Sequence, residues 1–125
     1  MCIHESAEDY LEAILVLSER LDAVHAVDIA RHLGVSKPSV SKALENLKRE
    51  GCVTVDDRIV RLTEHGASIA RSIFERHEFF ARVLARAGVE EDKASAEACR
   101  LEHCLSPDSF DKLRAYYERR EATRE

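Results

Sequence analysis

Residues 26–62 most narrowly limit what this chain can become. Two stretches of helical periodicity, each closed by a glycine, run directly into two short β-branched segments. The first stretch, AVDIARHL, ends at Gly34, and Gly suits the position just past a helix because it tolerates the left-handed conformation. Ser36 caps the next helix, Lys37 to Glu50, and Gly51 closes it. Val27, Ile29, Ala30, Leu33, Val35, Val40, Leu44 and Leu47 fill the joint between the two, the pattern of a helix-turn-helix. Cys52–Val55 and Ile59–Leu62 follow as short strands around the polar turn Asp56-Asp57-Arg58. A hairpin directly after a helix-turn-helix is a wing.

The flanking segments read as helices. Residues 6–21 place Tyr10, Leu11, Ile14, Leu15 and Leu17 on one face, with Ser6 as N-cap. A long helix runs from Glu64 to Ala87 and stops at Gly88, and another spans Glu90 to Cys104. Ser106-Pro107 starts a last helix reaching about Arg120, with a frayed end beyond it. The winged part meets the helical part inside the long helix, near residue 70, with no flexible linker.

Charge excludes little. The net charge is −5, but residues 1–23 carry six acidic and one basic residue, while residues 37–61 carry six basic and four acidic ones. No apolar run approaches the roughly 20 residues that span a bilayer. The first residues show neither a basic nor an apolar leader pattern, so a cytoplasmic location is expected. Cys2, Cys52, Cys99 and Cys104 form no CxxC pair, and reduced thiols are expected.

With Val40, Leu44 and Leu47 inward, the second helix of the motif presents Pro38, Ser39, Lys42, Asn46 and Arg49 outward, with Ser36 and Lys37 at its start. Hydroxyls, an amide and cations suit base edges and phosphates of double-stranded DNA. Arg58 and Arg61 on the hairpin suit a neighbouring groove or phosphate. Alone, such a helix is more often a solvated face; the helix-turn-helix with its wing reverses that weighting.

A second group of residues points to metal. Asp9 and Glu12 lie one turn apart on the first helix, beside its apolar stripe. Cys99, Glu102 and His103 share a face at spacings i, i+3 and i+4. His77 lies on the line Ile69, Ile73, His77, Phe80, Leu84. Individually these are more often a core histidine, a buried cysteine and a helix-dipole feature. Together, six oxygen, nitrogen and sulfur donors could converge from three helices. Buried together without a cation, the carboxylates and a thiolate would repel one another.

These segments resemble the diphtheria toxin repressor family. EACRLEH (Glu97–His103) followed by Leu105-Ser106 is similar to its metal-binding helix, and AEDYLEAI (Ala7–Ile14) to its first helix. VDIARHLGVSKPSVSKALENLKREGCV is similar to its helix-turn-helix, RIVRLTEHG to its wing and long-helix start, and RHEFF (Arg76–Phe80) to a segment with a further ligand histidine. The resemblance covers nearly the whole chain, in order. It implies a mainly α fold: an N-terminal winged helix-turn-helix DNA-binding domain (1–70), then a helical dimerisation and metal-binding domain (71–125). It also implies a homodimeric, metal-activated repressor of metal-uptake genes, not an enzyme, with no membrane or small-molecule substrate as partner. Asp9 and Glu12 match the manganese branch, Cys99 the iron branch, and His77, Glu102 and His103 both. Lys42 is manganese-like, while Ala81 and Ser95 replace ancillary ligands of the iron branch. The expected ion is Fe²⁺ or Mn²⁺, with Zn²⁺ or Co²⁺ also compatible with a thiolate. One site is expected from Asp9, Cys99, Glu102 and His103, with Glu12 and His77 completing a second nearby.

Phe74, Phe79, Phe80, Val83, Leu84, Phe110, Leu113 and Tyr116 are the candidates for a dimer surface. The alternative function is a thiol-based redox-sensing winged-helix transcription factor. A metal enzyme is disfavoured by the lack of a nucleophile motif or Gly-rich phosphate loop.

Overall fold

The computed structural model describes residues 7–124. The elements are α1 (Ala7–Arg20), α2 (Ala26–Leu33), α3 (Lys37–Arg49), β1 (Val53–Asp56), β2 (Ile59–Leu62), α4 (Glu64–Arg86), α5 (Glu91–Leu101) and α6 (Pro107–Arg124). The chain divides into two compact units within α4, between Phe74 and Glu75. Among the described residues, no helix is long and apolar enough to cross a membrane.

The N-terminal unit is a winged helix-turn-helix. Gly34 takes the left-handed conformation (φ 70°), and its N–H donates to the Ala30 carbonyl at 2.8 Å. Ser36 Oγ accepts from the Ser39 N–H at 3.2 Å, and Pro38 sits in the first turn of α3, where a missing N–H is tolerated. Tyr10, Ile14, Ile29, Val40 and Leu47 make a fully buried core with Val53, Val60 and Ala70. The proposed N-cap Ser6 lies outside the described residues.

The wing is a two-stranded antiparallel sheet with Val53 opposite Leu62 and Asp56 opposite Ile59. β1 begins one residue later than expected and takes in Asp56, leaving Asp57-Arg58 as a two-residue turn. Both are left-handed, at φ 52° and 66°. That matches the twist of a tight hairpin but costs a non-glycine residue roughly 1–2 kcal/mol. A single bridge, Val24 to Val60, ties the loop before α2 to the hairpin, with the Val60 N–H donating at 2.8 Å. At the wing's base the Thr63 hydroxyl donates to the Gly51 carbonyl (2.7 Å) and accepts from the Gly66 N–H (3.0 Å). A Cβ on Gly66 would stand 2.0 Å from the Cys52 carbonyl oxygen, so only glycine fits there.

The C-terminal unit contains the end of α4 with α5 and α6. Phe79 packs edge-on against Phe80, Phe110 and Tyr117, with ring centroids 5.3–5.5 Å apart. Ion pairs Glu75–Arg114, Arg82–Glu118 and Arg86–Glu121 run along α4 and α6. They are exposed and contribute little energy. Phe79, Phe80 and Phe110 are buried inside this unit, which corrects their assignment to a dimer surface. Leu113 and Tyr116 remain exposed, at 41% and 53%.

Two helix ends differ from expectation. α6 continues to Arg124 instead of fraying after Arg120. α5 stops at Leu101; its C-cap Glu102 keeps right-handed dihedrals and its N–H still donates to the Ala98 carbonyl, while His103 lies in the turn beyond. Arg76, which takes the Glu102 and Leu105 carbonyls, and Ser106-Pro107 starting α6 explain that early stop.

Candidate metal centre and nucleic-acid interface

In the C-terminal unit, ligand atoms of His77, Cys99 and Glu102 lie within 4.8 Å of one another. Each arrives by a different local device. His77 projects from α4, Cys99 from the last turn of α5, and Glu102 from the cap that ends α5. The Glu102 side chain is 0% exposed, with Oε2 3.1 Å from His77 Nδ1. His103, in the turn beyond, brings Nε2 to 3.4 Å from Glu102 Oε1. His77 Nε2 lies 3.5 Å from Ser95 Oγ, close enough for Ser95 to orient the ring.

Glu102 Oε1 is buried and has no hydrogen-bond partner. The nearby His103 nitrogen lies within ion-pair distance but lacks hydrogen-bond geometry. Stranding a carboxylate oxygen away from water is costly, and a cation is the partner that removes the cost. The donor set of imidazole, carboxylate and sulfur therefore fits a divalent transition metal.

Cys99 is buried and its sulfur is engaged in a disulfide, which corrects the expectation of reduced thiols at this position. Only the reduced thiolate is a metal ligand. Cys52 and Cys104 are free. Burial, with Glu50 second, pushes the Cys52 thiol above its ordinary value, so it is a poor nucleophile.

Asp9 and Glu12 belong to the N-terminal unit. Asp9 is 4% exposed and Glu12 half-buried, one helical turn apart on α1. The grouping of His77 with Cys99 and Glu102 differs from the expected placement of His77 in a second site.

Sequence reasoning missed Arg76, which is 6% exposed. Its Nη1 donates to the Glu102 carbonyl at 3.0 Å and to the Leu105 carbonyl at 2.7 Å. The available signal was its place on the apolar stripe Ile73, Arg76, Phe80, where a cation is out of pattern.

On α3, Pro38, Lys42, Asn46 and Arg49 are exposed and Ser39 half-exposed, opposite buried Val40, Leu44 and Leu47. Ser36 serves as the cap and donates to Ser39 Oγ at 2.9 Å, while Arg49 donates to Asn46 Oδ1 at 3.3 Å. Arg58 is exposed at the hairpin turn. Between α3 and the wing lies a cavity of about 500 Å³, with Lys37, Lys48, His25 and Arg58 among its lining residues.

Comparisons with known proteins agree with this arrangement. The profile "Iron dependent repressor, N-terminal DNA binding domain" matches residues 3–58, and "Iron dependent repressor, metal binding and dimerisation domain" matches residues 63–123. The chain is 33% identical to an HTH-type transcriptional regulator of Methanocaldococcus jannaschii over 118 residues, 92% of this chain and 94% of that one. It is 34% identical to the transcriptional regulator MntR of Escherichia coli O157:H7 over 113 residues, 90% of this chain and 73% of that one. Identity to the iron-dependent repressor IdeR of Mycobacterium tuberculosis is also 34%, over 87% of this chain and 48% of that one. The structure of the manganese regulator SloR superposes with a TM-score of 0.79 at 29% identity, over 94% of this chain and 55% of that one. The chain thus spans about half the length of such solved structures. These comparisons favour a metal-dependent regulator over the redox alternative. The chain belongs to the iron-dependent repressor family of metal-dependent, DNA-binding transcriptional regulators.

Proposed function

We propose that this protein is a cytoplasmic, homodimeric repressor of metal-uptake genes whose operator binding is switched on by Fe²⁺ or Mn²⁺. It acts by binding and not by catalysis. The observation that carries the reading is the buried Glu102 carboxylate, with one oxygen against His77 and the other without a hydrogen bond. His77, Cys99, Glu102 and His103 supply ligands from the helical part (71–125). Asp9 and Glu12 supply oxygen donors from the winged part (1–70), a role supported by the family match and by the burial of Asp9. When bound, the cation offsets the like charges of these donors and fixes the segments that carry them. In a symmetric dimer this sets the spacing of the two α3 helices, which must match successive major grooves. Ser36, Lys37, Pro38, Ser39, Lys42, Asn46, Arg49 and Arg58 form the DNA-facing set. Metal and operator then strengthen each other's binding by the same factor.

Manganese-dependent and iron-dependent relatives are both similar to this chain, and Cys99 inclines the site towards the softer ion. Co²⁺ titration of the reduced, metal-free protein, as wild type and as Cys99→Ser, tests the centre. A thiolate-to-cobalt charge-transfer band lost in the variant is the expected result. A cobalt spectrum unchanged by the substitution assigns the ion to oxygen and nitrogen donors alone. Absence of any cobalt binding overturns the metal switch.

A further inference from the structure

We infer that Arg76 is a positioning residue for the metal centre, acting as a clamp on the turn that presents Glu102 and His103. This rests on the metal reading above. The last carbonyls of a helix have no partner within it. At the end of α5 the Glu102 carbonyl is taken by Arg76 Nη1, and the same nitrogen takes the Leu105 carbonyl. One guanidinium therefore holds both sides of His103, the exposed ligand in that turn. Its neighbour His77 meets the Glu102 side chain at 3.1 Å, so consecutive residues of α4 grip the main chain and the carboxylate of one glutamate.

The environment suits a cation and little else. Arg76 lies at the negative end of the α5 dipole, and its guanidinium stacks 5.3 Å from the Phe110 ring centroid. Its Nε is buried with no hydrogen-bond partner. An apolar side chain would fill this space without stranding Nε, but it would leave two carbonyls without their donor. The arrangement gains position for the turn at the cost of one unsatisfied N–H. Groups that orient metal ligands typically matter 10–100-fold in affinity, which sets the expected effect of losing this clamp.

The test compares R76Q with F79L by Co²⁺ titration and visible spectroscopy on reduced protein. Circular dichroism first confirms that each variant is folded at the working temperature. Phe79 belongs to the aromatic cluster on which Leu105 also packs but makes none of the hydrogen bonds to the turn, so it reports loosening of the packing without loss of the clamp. R76Q is expected to weaken Co²⁺ binding at least about 10-fold and to alter the ligand-field bands. F79L is expected to lower the thermal midpoint while keeping wild-type affinity and bands. If R76Q does not fold, R76K, which retains a donor and the charge, takes its place, with altered bands as the expected result. Wild-type affinity and bands in the Arg76 variant overturn the clamp alone, as does an equal loss in F79L. No cobalt spectrum from wild type overturns the metal centre and the clamp together.

Discussion

Glu102→Gln separates a metal ligand from a structural carboxylate. The substitution keeps size and shape and removes only the charge, at a side chain with 0% exposure. In the metal-free protein, a buried charge that lacks full pairing is a net cost, so the variant's melting midpoint should equal or exceed that of wild type. Its response to metal should collapse. A metal at about 100 times its dissociation constant stabilises the native state by about 2.7 kcal/mol. For a domain of this size that raises the midpoint by roughly 10 °C. Losing a ligand should weaken binding at least about 100-fold, given that even supporting groups matter 10–100-fold. The same metal concentration then equals the variant's dissociation constant and contributes only about 0.4 kcal/mol, a shift of roughly 1–2 °C. Scanning calorimetry with and without Co²⁺, on both proteins, reads the difference directly. A variant that keeps the full metal-induced shift would refute the ligand role. One whose metal-free midpoint falls by more than about 4 °C, or roughly 1 kcal/mol, would show that the carboxylate is structural.

Gly66→Ala should destabilise the winged unit by roughly 1–3 kcal/mol, read as a lower urea midpoint, because the new methyl meets the Cys52 carbonyl. Arg58→Gly should raise stability by about 0.5–1 kcal/mol through relief of the left-handed residue, net of glycine's added chain entropy. Operator binding should weaken together with that gain, and its salt dependence should become shallower by about one phosphate contact; an unchanged slope removes Arg58 from the interface. Peptide-level mass spectrometry after brief alkylation at pH 8 should find Cys104 modified well before Cys52, whose raised thiol value keeps it protonated. Cys52's contribution to stability is therefore intact below the ordinary thiol value and falls as pH rises through the raised one.

The helix-turn-helix was legible because local chemistry and tertiary role coincide there. Gly34 must be left-handed where it stands, Ser36 must cap, and the apolar stripe of α3 meets the core that the spacing implies. The C-terminal part was less legible because tertiary contacts override local pattern. Glu102 and His103 keep helical spacing with Cys99, yet the helix ends before them. A buried arginine some 26 residues away captures the carbonyls that another turn would have used. Arg76 itself hides among charged neighbours in RHE, where a cation reads as solvated. The aromatic residues of α4 and α6 were candidates for a dimer surface, but Phe79, Phe80 and Phe110 close on one another. The Val24–Val60 bridge involves too short a segment to leave a periodic signal.

Both ends of the hairpin are pinned at one place, where Thr63 holds Gly51 and Gly66 admits the Cys52 carbonyl. Val60 is pinned as well, by its bridge to Val24 and its place in the core, so a change at the tip meets an anchor within two residues of Arg58. Asp56, Asp57 and Arg58, exposed in succession, are in this sense an exchangeable tip on anchored strands. A substitution there changes the charge the wing presents while the helices on either side keep their places.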